Sequence, residues 1–169
     1  MNLRQVLFGI FLGIFLGIYD VIFSTFVPEP FSFLHLSLPV IAFCIAIERR
    51  RLAFIIAIVT GIVFDLFAIG GSGFAVARIV VAAGAAWQLQ VQVLTNRSLY
   101  ATILLALVVR MVDAFWIWAL SLLYTVFQQP LLLSVTWDTL WKRAGMDIAI
   151  VVILFTIQVL IDRQFRRRT

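Results

Sequence analysis

A single all-α domain of six membrane-spanning helices is the fold class this sequence predicts, and three observations predict it. The 169-residue chain is 64% apolar with a mean hydropathy of +1.13, which leaves too little polar surface for a water-soluble domain. Most of its 13 Lys/Arg residues lie in the gaps between long apolar runs rather than within them. Those gaps also hold the proline and glycine signals that end helices.

The first span covers about 5–27 and stops at Pro28-Glu29-Pro30. Its apolar stretch is about twice the length of a secretory h-region, and no small-x-small cleavage site follows, so it reads as an uncleaved span. The second, about 31–47, is short, carries Pro39 as an expected kink, and closes at Glu48-Arg49-Arg50-Arg51. The third runs about 52–69 into the turn Gly70-Gly71-Ser72-Gly73. The fourth, about 73–94, ends at Thr95-Asn96-Arg97. The fifth, about 99–127, is longer than a bilayer needs and should tilt or emerge before Gln128-Gln129-Pro130. Leu131–Trp141, with Trp137 and Trp141, reads as a stretch lying on the membrane surface. The sixth span, about 144–162, ends in the basic tail.

The cations then set an orientation. With the N-terminus inside, Arg4, Arg49 to Arg51, Arg97 and the four arginines from Arg163 onward are cytoplasmic, while only Lys142 and Arg143 fall outside. Arg78 and Arg110 lie within spans. Loops this short obey the positive-inside rule, so both termini are expected in the cytoplasm of a multi-pass membrane protein.

A net charge of +5 can indicate nucleic acid, but short basic clusters flanking apolar runs fit anionic lipid headgroups instead. No nucleic-acid partner is expected. Cys44 is the single cysteine, which excludes an intrachain disulfide and a cysteine-built metal cluster. His35 stands at the outer end of the second span and reads as an interfacial polar tip, with no second histidine to complete a metal site. The glycine turn lacks the lysine of a phosphate loop, and neither a nucleophile elbow nor a zinc helix is present. The sequence therefore points away from an enzyme and calls for no cofactor.

Charges inside spans are the candidates for function, because each is expensive without a partner. Asp65 and Arg78 flank the glycine turn at similar depth, which suggests a paired or bridged contact. Arg110 and Asp113, three residues apart, share a helix face. Asp20 and Asp147 also fall in the outer half. These residues can be ion pairs that fix helix registry, or the lining of a polar pocket open to the outside. Gly9, Gly13 and Gly17 recur every fourth residue and make a groove along the first helix. It can receive a helix of the same chain or a helix of a partner subunit.

The run Gly61-Ile-Val-Phe-Asp65, followed by the glycine turn ending at Gly73, resembles the signature of the rod-shape-determining MreD family. Length, six apolar spans and a proline-bearing helix before a basic loop are similar too, so the resemblance covers essentially the whole chain. This chain has Ser72 where the family's turn often carries proline. The resemblance implies a non-enzymatic inner-membrane scaffold of the elongasome, the complex that directs peptidoglycan synthesis and cell shape. Its implied partners are the bitopic protein MreC, a RodA-type glycosyltransferase with its transpeptidase, and the MreB filament. It nominates Gly61, Asp65, Gly73 and Arg78, with Arg110 and Asp113, as the partner-binding or structural polar site. Gly9, Gly13 and Gly17 become the helix-docking face. The chain is also similar to the substrate-binding S-components of energy-coupling-factor vitamin transporters, which implies a related fold and an outward vitamin pocket near Trp116, Trp118 and Trp137.

Overall fold

The computed structural model describes residues 2–28, 34–67, 74–94, 98–126 and 137–166. These form six α-helices: α1 (Leu3–Phe26), α2 (Ser37–Ala46), α3 (Arg50–Phe67), α4 (Ala75–Gln92), α5 (Leu99–Val126) and α6 (Trp137–Arg166). Among the described residues, α1, α5 and α6 are long and apolar enough to cross a membrane, and the molecule is a helical membrane protein. Apolar side chains on the outward faces of these helices, such as Phe11, Phe15, Phe115 and Ile153, are exposed, as lipid-facing residues must be.

The shortest helix lies at the centre. α2 packs against all five other helices, and eight of its ten residues are buried. Ile41, Ala42 and Ile45 interlock there with Ile56 of α3, Ala82 of α4, Val109 of α5 and Val151 of α6. Ten residues rise only about 15 Å, half of a hydrocarbon core of about 30 Å. The second span expected over 31–47 is therefore a half-length helix, preceded at 34–36 by irregular backbone. The expected kink at Pro39 is absent for a local reason. Pro39 occupies the first turn of α2, where a helix needs no amide donor, and the first intrahelical bond runs from Val40 N–H to Leu36 O at 3.1 Å.

α2 ends in a tight cap that returns the chain into α3. Glu48 takes φ 61°, the conformation usually given to glycine, while Glu48 N–H bonds Ile45 O and Arg49 N–H bonds Cys44 O, both at 2.9 Å. α6 begins seven residues before the expected span, because Asp138 in its first turn favours the positive helix end and pairs with Lys142 at 2.6 Å. Trp137 and Trp141 are thus the exposed opening turns of α6 and not a separate surface segment; residues 131–136 lie outside the described residues.

The glycine stripe of α1 is filled by α3. A Cβ at Gly9 would come within 2.9 Å of Leu52, at Gly13 within 2.8 Å of Val59, and at Gly17 within 2.8 Å of Val63. The approach also exposes the Gly13 carbonyl, which accepts a 3.1 Å hydrogen bond from the buried Thr60 hydroxyl. A partner subunit's helix has no room at Gly9, Gly13 and Gly17. The docking face is internal.

Candidate functional site

One end of the bundle gathers most of the buried charge. Here α1 and α3 finish, α2, α4 and α6 begin, and α5 passes through. The helices enclose a cavity of about 320 Å³. Its lining includes Asp20, Asp65, Asp113, Arg78, Arg110 and Arg143.

Each carboxylate has a definite task. Asp20, 1% exposed, stands six residues before the end of α1 and accepts Leu36 N–H at 2.7 Å and Ser37 N–H at 3.1 Å. These are two of the amides that a helix start leaves unpaired. Buried as they are, they need a protein acceptor, and a carboxylate also complements the positive end of α2. Asp65 does the same for α4, accepting Ala75 N–H at 2.9 Å and Val76 N–H at 3.2 Å.

Gly61 explains the spacing of the motif. One turn before Asp65 on the same face of α3, a Cβ at Gly61 would sit 2.5 Å from Val76 Cα. Only a residue without a side chain lets the first turn of α4 come close enough for Asp65 to cap it. Gly61-x-x-x-Asp65 is a joint between α3 and α4, made of a close contact and a cap. The expected Asp65–Arg78 pair is not formed, because the amides of α4 already occupy the carboxylate. Gly73 and the rest of the turn lie outside the described residues.

The remaining charges bind helix to helix. Arg110 of α5 grips Asp147 of α6 in a two-point contact, with Nε to Oδ2 at 2.6 Å and Nη2 to Oδ1 at 2.9 Å. Both residues are almost wholly buried. Arg78 of α4 reaches across to α5, with Nε 2.8 Å from Asp113 Oδ1. That approach is off the hydrogen-bond axis, so the contact is a charge pair and neither atom completes a hydrogen bond. Arg110 Nη1 lies 3.9 Å from Asp113 Oδ2, which links the two pairs through the shared face of α5.

Two lining residues carry signals the sequence did not expose. His35 is not an interfacial tip: its Nδ1 lies 4.0 Å from Asp20 Oδ2, and its Nε2 is buried without a hydrogen bond. Arg143 belongs to the cavity wall rather than to an outer loop. Asp147 was recognisable as an outer acid, but its pairing with Arg110 depends on the packing of α5 against α6. Among the described residues, no group of three or more His, Cys, Asp or Glu side chains could hold a metal ion.

The opposite end is built differently. Arg4, Arg49, Arg50 and Arg51 border an open recess of about 710 Å³, with Glu48 beside them. Arg50 also stacks 5.9 Å above the Trp87 ring, which meets Phe54 edge-on.

Compared with known proteins, the chain matches no family model, no curated protein and no solved structure.

Proposed function

We propose that this protein is a non-enzymatic scaffold subunit of the bacterial inner membrane, of the MreD type, within the complex that directs cell-wall elongation. In this reading the chain crosses the membrane six times, with the arginine end and both termini in the cytoplasm and the charged cavity facing outward. The observation that carries the reading is the joint at Gly61 and Asp65. Gly61 and Asp65, two of the residues that resemble the family signature, share one physical task, the close docking and capping of α4 on α3. The neighbouring charges likewise tie helices together, giving a rigid body on which a bitopic MreC-like protein and a RodA-type synthase with its transpeptidase can assemble. The exposed arginines at the other end suit anionic lipid or an MreB filament.

Because α3 occupies the glycine stripe, partners in this reading meet other surfaces of the bundle. Purification from the native membrane in mild detergent tests it: recovery of a bitopic coiled-coil protein and cell-wall synthases is the expected result. Asp65→Ala, which loosens the α3–α4 joint, should retain less of those partners than Asp162→Ala on the exposed end of α6. Equal retention by both variants would sink the proposal.

A second reading, the S-component of a vitamin transporter, is favoured by the cavity itself, whose volume reaches the lower range of small-molecule sites. Recovery of ATPase subunits, or thermal stabilisation by a vitamin, would select it.

A further inference from the structure

Each charged group around the cavity except Arg143 has a partner within hydrogen-bond or ion-pairing distance. The carboxylate of Asp20 is matched by the start of α2, and that of Asp65 by the start of α4. Asp113 neutralises Arg78, and Asp147 neutralises Arg110. Arg143, on the first half of α6, lines the same cavity with its Nε buried and unbonded. Among the described residues, no carboxylate comes within ion-pairing distance of it. His35, also in the lining, keeps a second buried and unbonded nitrogen, Nε2.

A half-buried guanidinium whose Nε has no acceptor is costly, unless an anion from outside the chain completes it. We propose that the cavity is a binding site for a single oxyanion group, a carboxylate or phosphate, held by Arg143 with His35 Nε2 as a supporting hydrogen-bond partner. Arginine's planar donors suit either group. The two sources of such a group are a soluble acid entering the cavity and a lipid headgroup reaching in from the bilayer. The proposal does not depend on the scaffold reading, since the purified chain alone should bind.

The test places the full chain in nanodiscs of zwitterionic phosphatidylcholine and follows melting by tryptophan fluorescence. Glycerol 3-phosphate, acetate or inorganic phosphate is added to the buffer in one arm, and phosphatidylglycerol to the bilayer in the other. The proposal expects saturable stabilisation in at least one arm, and the arm that responds names the source. Arg143→Gln should weaken that response about ten- to a hundredfold, as loss of a charge-assisted contact does. Lys142→Gln should leave it intact, because Lys142 is exposed and already paired with Asp138. With no anion added, Arg143→Gln should melt no lower than the parent, since it removes a buried donor that has no acceptor. Absence of stabilisation in both arms, an unchanged response in Arg143→Gln, or a sharply lower melting point of that variant without anion would each overturn the proposal.

Discussion

The arginines at the two ends of this bundle do opposite work. At the cavity end, Arg78 and Arg110 lie inside the protein, each set against an aspartate on a neighbouring helix. At the other end, Arg4 and Arg49 to Arg51 are exposed around an open recess. The same side chain is a structural tie where it is buried and a surface charge where it is exposed. Burial decides which: a buried arginine without its acid leaves an uncompensated charge, whereas an exposed one is solvated and screened. The difference teaches where mutations should hurt.

The largest effect should come from breaking the two-point pair. Asp147→Ala strands Arg110 inside the bundle and should lower stability by about 3–5 kcal/mol, read as unfolding in mixed micelles titrated with SDS. Next comes Gly61→Ala, which drives a methyl into the backbone of Val76 and should cost about 1–3 kcal/mol. Asp65→Ala leaves two α4 amides without their acceptor and should cost about 0.5–2 kcal/mol, in the range of lost helix caps. If Asp65→Ala proved more damaging than Asp147→Ala, the cap and not the ion pair would be the main fastening. At the arginine end, Arg51→Gln should give no resolvable change in unfolding, yet weaken association with vesicles rich in phosphatidylglycerol. A stability loss there as large as at Asp147 would erase the contrast between the ends.

The same contrast shows what a sequence can disclose. Helices α3, α4 and α5 begin and end within two or three residues of the expected spans, because apolar runs and breaks are local properties. The half-length of α2 was hidden: residues 31–36 are still mainly apolar, and its true start is fixed by Asp20, sixteen residues before Leu36. Pro39 looked like a kink because the start was placed too early. The start of α6 was hidden for the opposite reason. Its first two turns are polar enough to end an apolar run, yet Asp138 and Lys142 support a helix.

Among the charges, depth was legible but partnership was not. Asp65 and Arg78 do share the cavity, as their distances from the turn implied, but Asp65 bonds the amides of α4 and Arg78 pairs with Asp113. Arg110 and Asp147 are 37 residues apart, and only the packing of α5 on α6 joins them. The glycine stripe announced a close helix contact and left its occupant open; matching small residues to Leu52, Val59 and Val63 required the fold.

A double-mutant cycle at Arg110 and Asp147 tests the central claim, that buried charges at the cavity end act as ties between helices. The variants are Arg110→Met, Asp147→Leu and the pair together, each unfolded reversibly in mixed micelles. Each single change should be strongly destabilising and the double variant should regain most of the loss, since two apolar side chains can replace a buried pair. Losses that simply add would contradict it, and would mean that each charge serves the fold without the other.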